Sequence, residues 1–268
     1  MTPLYLAHQS LIDLEPLAFL ETAAAAGFSG VSLRVRAAAK GAPVYEIRPG
    51  SEGMRAVRGR AEALGIAVAY VETLALDAGM TRDDYVATLE TGAELGAKRL
   101  TVAGNDSDFA ALSEVFAALS EDAAAFGVVV DLEFMPFRPV KSLEDAIDIL
   151  RRAGSGCILP DALHLVRSGG TPASLRTLAP DAIGSFQLCD GTLSAPWPDD
   201  LPFEARNGRL LPGDGEFPLV AMIEALPKGT MIGVEAPLAG DVRPVDPLGR
   251  ARRIFQAARG VLEAASRP

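Results

Sequence analysis

Four apolar runs from residue 128 onward in this 268-residue chain end in side chains that carry oxygen. VVVDLEF brings Glu133, CILPDALH brings Asp161 and His164, SFQLCD brings Gln187, and MIGVEAP brings Glu235. Three carboxylates gathered in one buried place repel one another unless protons or a cation relieve the charge. A single divalent metal ion does so. An all-oxygen set of Glu133, Asp161, Gln187 and Glu235 favours Mn²⁺ or Mg²⁺ over Zn²⁺ or Co²⁺. Any one of these carboxylates taken alone reads as a helix cap or an ion-pair member; four donors on successive runs read as a metal site. Asp131 and Asp190 compete for the same role. Asp131 shares a face with Glu133, since facing alternates along a strand, but Glu133 lies nearer the end of the run.

Further groups stand where a substrate would meet them. His8 ends YLAHQ, Glu72 follows YV, and Arg34 and Arg36 end GVSLRVR. Arg206 and Arg209 sit in EARNGRLLPGDGE. The chain has only two histidines, His8 and His164, and both follow strand-like runs. Cys157 and Cys189 have no neighbouring base and read as small core residues. Trp197, in APWP, reads as a loop anchor.

These groups need elements to position them, and a repeating unit supplies those elements. An alanine-rich helical stretch, a glycine and a short apolar run recur through ETAAAAGFSGVSLRV, AEALGIAVAYV, AELGAKRLTVAG and DAAAFGVVVDLEF, more loosely in LRRAGSGCIL. Gly27, Gly65, Gly96, Gly127 and Gly154 fall where left-handed helix caps belong. The following runs are almost wholly apolar, as in parallel strands covered on both faces. Eight such runs lie near 4–8, 30–35, 66–71, 99–103, 128–134, 157–161, 184–189 and 230–235, and a last helix spans about 247–264. Pro16 marks the start of one helix, and Ser142 with Asp145 marks a capping box. Eight strand–helix units predict an α/β fold, a single (β/α)8 TIM barrel over 1–268, with the site at the C-terminal ends of its strands. The stretch 191–215, rich in Pro, Asp and Gly, is expected to be a long irregular active-site loop.

Composition narrows the partners. Lys and Arg total 25 against 35 Asp and Glu, a net charge of −10, which argues against nucleic acid or an anionic membrane as partner. Two cysteines make neither a disulfide framework nor a metal-binding pair. MTPLYLAHQS lacks a basic segment followed by an apolar one, and no apolar run reaches the roughly 18 residues of a membrane span. A cytoplasmic protein with a small-molecule substrate is expected. A homodimer stays open, since barrels with exposed helices often pair.

The segments LEFMPF, DALHLVRSGG, FQLCDG, RLLPGDGEFPL and GVEAP, in this order, resemble the xylose-isomerase-like TIM-barrel superfamily, the sugar phosphate isomerases and epimerases. The resemblance covers essentially the whole chain and is strongest over about 128–240. It implies a divalent ion held by Glu133, Asp161, Gln187 and Glu235, with Glu133 and Glu235 moving protons on opposite faces of the substrate. It also implies that His164 contacts substrate oxygens and that Arg206 reaches the substrate; His8, Arg34 and Glu72 are expected there from their places at strand ends. Many members carry histidine at the place of Gln187 and glutamate at the place of Ser32. Ser32 with Arg34 suggests a substrate that bears its own negative charge, and Gln187 is similar to some 3-dehydroshikimate dehydratases. The DNA-repair endonucleases of the superfamily need a histidine-rich zinc cluster that two histidines cannot supply.

The expected chemistry is proton abstraction next to a carbonyl in a small polyhydroxy compound, through an enediolate that the ion stabilises. Reprotonation makes an isomerase or epimerase. Loss of a β-hydroxyl makes a dehydratase of 3-dehydroshikimate or a similar hydroxy-keto acid. A non-catalytic sugar-binding barrel is the third reading.

Overall fold

A computed structural model describes residues 2–36, 45–238 and 246–266. Eight strands run parallel: β1 (Leu4–Ala7), β2 (Gly30–Arg34), β3 (Ala67–Leu76), β4 (Arg99–Gly104), β5 (Val129–Glu133), β6 (Cys157–Leu159), β7 (Ser185–Leu188) and β8 (Met231–Val234). They pair in the order β6-β5-β4-β3-β2-β1-β8-β7. Isolated parallel bridges at Ile158–Ile183 and Asp161–Gln187 draw β6 and β7 together, so the barrel is nearly closed.

Helices fill the connections. The first five are α1 (Pro16–Ala26), α2 (Glu52–Leu64), α3 (Arg82–Leu95), α4 (Phe109–Ala125) and α5 (Leu143–Ala153). They are followed by α6 (Ala162–Arg167), α7 (Pro172–Arg176), α8 (Leu201–Asn207), α9 (Leu219–Ala225) and α10 (Pro247–Ala265). Phe19 and Leu20 of α1, Leu89 of α3 and Phe116 of α4 are fully buried against strand residues such as Leu6, Leu33 and Val102. Local signals hold: Pro16 opens α1, and Ser142 and Asp145 cap α5 reciprocally. Helices α1, α2, α3 and α5 end on Gly27, Gly65, Gly96 and Gly154 with positive φ. Helix α4 caps one residue earlier, on Phe126, with Gly127 following at φ 69°.

Two expectations need correction. Strand β3 runs to Leu76 rather than Val71, because its pairing with β4 resumes at Leu74–Val102 after a shift in register over Glu72 and Thr73. Those two polar residues interrupt the apolar run and hide its continuation. The stretch 191–215 is not wholly irregular, since it holds a 3₁₀ turn (Pro198–Asp200) and α8.

Inside the barrel, below the mouth, a buried ion pair joins two strands. Arg99 on β4 donates from Nε and Nη2 to the two oxygens of Asp131 on β5, both at 2.5 Å. Ser185 Oγ on β7 donates to Asp131 Oδ2 at 2.7 Å. Gly184 leaves the room for this fork, because a Cβ there would lie 1.8 Å from Arg99 Nη2. Removing one partner of a buried pair leaves the other charge uncompensated. Asp131→Ala is therefore expected to lower unfolding free energy by about 3 kcal/mol or more in urea titration; a loss below about 1 kcal/mol would show that the pair does not brace the barrel.

Candidate active site

The strand register brings the oxygen-bearing residues to one end of the barrel. Glu133 closes β5 and pairs with Leu159 of β6. Two residues past β6, Asp161 caps α6, its Oδ1 accepting from Leu163 N at 2.8 Å and His164 N at 3.1 Å. Gln187 lies on β7 beside Gly233 of β8 and is bridged to Asp161. Glu235 follows β8 directly. Glu133, Asp161 and Glu235 each offer an oxygen within 4.8 Å of the others.

One buried cation enters this cluster. Arg209 donates from Nη1 to Asp161 Oδ2 at 2.5 Å and from Nη2 to Glu235 Oε1 at 3.3 Å. Its Nε donates to Ala205 O at 2.9 Å, at the end of α8, and Nη1 also reaches Glu235 O at 3.1 Å. Burial, reinforced by the neighbouring Glu235 and Asp161, holds the Glu133 carboxyl well above the usual carboxylate range. Burial likewise pushes Glu235 up to about 7, against the pull of Arg209. His164 Nε2 lies 3.7 Å from Glu133 Oε1, and burial lowers its pKa to about 4, so its imidazole is neutral near pH 7.

Fully ionised, the three carboxylates with one guanidinium would leave two negative charges, which a divalent ion would balance. The Gln187 side chain offers a second sign, a buried Oε1 with no hydrogen-bond donor among the described residues. A buried acceptor without a partner calls for an explanation, and ligation is one. The donor set thus fits a hard divalent ion.

Above the carboxylates opens a cavity of about 290 Å³. Its wall includes Glu133, Glu235, His164, Arg209, Arg34, Glu72 and Arg206, which places six of the expected catalytic and substrate groups together with Arg209. Glu72 is buried, its Oε2 accepting from Ser32 Oγ at 2.5 Å while Oε1 has no partner. Gln187 is not in this wall; it lines a small void beneath, with Tyr70, Thr101 and Ser185.

His8 is not brought to the cavity, contrary to its expected place against substrate. Its ring stacks between Phe19 (centroids 4.3 Å apart) and Tyr45 (5.6 Å). Nε2 donates to Leu14 O at 3.0 Å and Nδ1 accepts from Arg34 N at 3.4 Å. The rival ligands are committed elsewhere: Asp131 to Arg99, and Asp190 to four backbone N–H groups, those of Gly191, Gly213, Gly215 and Phe217. Trp197 is 80% exposed, so it anchors nothing in the core. Sequence reasoning did not single out Arg138 or Phe137, which also line the cavity. Their one signal is proximity, since both follow Glu133 within five residues. Arg209 was visible only as one of two loop arginines, with nothing to mark it as the buried one.

Residues 20–258 match the family model described as xylose isomerase-like TIM barrel. No curated protein sequence matches the chain. Among solved structures, a xylose isomerase-like TIM barrel/4-hydroxyphenylpyruvate dioxygenase fusion protein superposes with TM-score 0.82 at 21% identity over 98% of this chain. This chain spans 43% of that fusion. The IOLI protein with a bound zinc atom gives 0.78 at 16% identity, covering 98% and 99% of the two chains. A D-psicose 3-epimerase from Clostridium cellulolyticum H10 gives 0.73 at 16%, covering 97% and 99%. These likenesses are of fold. No helix among the described residues is long and apolar enough to cross a membrane.

Two predictions follow from the site's surroundings. His8 in the folded protein titrates at about 4 because burial outweighs its bond to Leu14. The unfolded chain, near 6.5, binds the proton first, so His8 stabilises the fold above pH 6.5 and this is lost as pH falls towards 4. Unfolding free energy should drop by up to about 3 kcal/mol over that window relative to His8→Gln; parallel profiles for both proteins would refute it. Asp190→Ala should leave four N–H groups without their acceptor, lowering stability by about 2–4 kcal/mol and speeding proteolysis within 191–217. Unchanged proteolysis would mean that Asp190 does not hold this segment.

Proposed function

Because the chain belongs to the xylose isomerase-like TIM barrel family, we propose that it is a divalent-metal-dependent isomerase or epimerase of a small polyhydroxy carbonyl compound. The observation that carries this reading is the convergence of Glu133, Asp161 and Glu235 within 4.8 Å, at the floor of a cavity able to hold such a molecule. Glu133, Asp161, Glu235 and the unpartnered oxygen of Gln187 would hold the ion, with Mn²⁺ or Mg²⁺ suited to four oxygen donors. When bound, the ion supplies Lewis acidity to a carbonyl oxygen and lowers the cost of the negative charge that develops there.

The chain's own residues do the rest. Glu133 and Glu235 stand on strands separated by β6 and β7, so a substrate between them meets a carboxylate on each side. One removes the proton from the carbon next to the carbonyl, and the other delivers a proton to the neighbouring carbon or the opposite face. Burial favours protonation of both, which suits groups that must exchange a proton near neutral pH. His164, neutral and buried, hydrogen-bonds a substrate oxygen without adding charge. Arg209 holds Asp161 and Glu235 in place and ties them to α8, which closes part of the mouth.

A dehydratase is the second reading. The same proton removal expels a β-hydroxyl if the substrate carries one, and the arginines of the cavity favour a hydroxy-keto acid. Purified protein should bind a single Mn²⁺ per chain, measured by calorimetry and elemental analysis, and Glu133→Gln and Asp161→Asn should each abolish it. Deuterium wash-in from solvent into hydroxy-carbonyl substrates should fall about 10²-fold or more in Glu235→Gln. Wild-type protein that binds no divalent ion would sink this reading.

A further inference from the structure

Three arginines line the cavity without a carboxylate partner. Among the described residues, Arg34, Arg138 and Arg206 have no acidic side chain within 4 Å, although the chain offers 35 acidic residues against 25 basic ones. Arg138 uses Nη1 on Asn105 Oδ1 at 2.8 Å, and its Nε is buried with no acceptor. The Nε of Arg34 is likewise buried and unpartnered. Arg206 lies over the ring of Phe137, its guanidinium carbon 5.9 Å from the centroid. Phe137 and Arg138 are neighbours in the chain, so two guanidiniums share one side of the cavity. Burial lowers the Arg138 pKa, with the Glu133 charge opposing it and the nearby Arg206 charge adding to it.

Charge counting points the same way. Four arginines of the wall (the three above and Arg209) face Glu72, Glu133 and Glu235, with Asp161 held behind by Arg209. The sum is zero before an ion enters and +2 once a divalent ion is bound. A neutral polyol leaves that surplus unmatched. A substrate with an oxyanion of its own, plus the charge that develops on its carbonyl oxygen, matches it. Guanidinium N–H groups pair with carboxylate or phosphate more strongly than with hydroxyls.

We propose that Arg138, Arg206 and Phe137, with Arg34 three strands away on β2, form an oxyanion subsite, and that the substrate is an anionic hydroxy-carbonyl compound rather than a neutral sugar. The inference rests on the reading of this cavity as the substrate site.

Three cyclic polyols without a ketone or aldehyde group test it, because they lack the carbonyl the reaction needs: quinate (a carboxylate), myo-inositol (neutral) and inositol 1-phosphate. Their affinities are measured by calorimetry on metal-free and Mn²⁺-treated protein. Quinate is expected to bind about tenfold or more tightly than inositol, with the advantage shrinking in high salt. Arg138→Gln and Arg206→Gln should each remove most of that advantage, and Arg138→Lys should restore part of it. Mn²⁺ stoichiometry and thermal melting equal to wild type would show that the variants keep the fold. Inositol 1-phosphate binding more tightly than quinate would support the subsite and assign it to a phosphate ester. Equal affinity for quinate and inositol, an advantage that survives in the Arg138→Gln/Arg206→Gln double variant, or no binding of any probe would overturn it. Failure to take up Mn²⁺ would sink the proposed metal-dependent activity alone, since the metal-free arm still decides the subsite.

Discussion

Mutual repulsion among Glu133, Asp161 and Glu235 is the constraint around which the mouth of this barrel is organised. Their oxygens lie within 4.8 Å in a place that water scarcely reaches. Such a cluster is stable only if positive charge or protons offset it. Arg209 gives one positive charge through contacts to Asp161 and Glu235, and burial drives protons onto Glu133 and Glu235. The proposed divalent ion would take the place of those protons. Asp161 meets the same demand in another way, through two N–H groups at the start of α6.

The barrel separates this unstable end from a well-paired interior. Asp131 and Glu133 point to the same side of β5, two residues apart, yet their surroundings differ. Asp131 is saturated by Arg99 and Ser185, while Glu133, beside the oxygens of Asp161 and Glu235, has a neutral histidine at 3.7 Å. Saturated polar groups brace the strands; unsaturated ones remain free for ligands. Asp190 belongs with the first kind, its four N–H contacts folding the segment after β7 back over the mouth and placing α8 and Arg209. The site therefore depends on a carboxylate that never faces the cavity.

The wall above the carboxylates has the opposite character. Among the described residues Arg34, Arg138 and Arg206 lack acidic partners, in a protein whose net charge is −10. Guanidinium groups without an acidic partner draw ligands of the opposite sign, even in a wall that also holds Glu72, Glu133 and Glu235. The same arginines that favour an anionic substrate also make a hydroxy-keto acid a natural alternative to a sugar.

Much of the architecture was legible in the chain because its signals are local. Apolar runs marked all eight strands, those of β2 to β6 after glycines at helix ends, and the endings of the runs marked Glu133, Asp161, Gln187, Glu235 and His164, since strand ends of a parallel barrel must share one face. Contacts between distant residues were not legible. His8 and His164 carry the same sequence signal, a histidine after an apolar run, yet Phe19 and Tyr45 bury one in the core while the other faces the cavity. Arg206 and Arg209 stand three residues apart, and only the fold turns one outward onto Phe137 and sinks the other between Asp161 and Glu235. Residue type and periodicity determined which groups reach the mouth. Tertiary packing decided which of them are paired and which are left free, because pairing depends on distances between strands and loops that lie far apart in the chain.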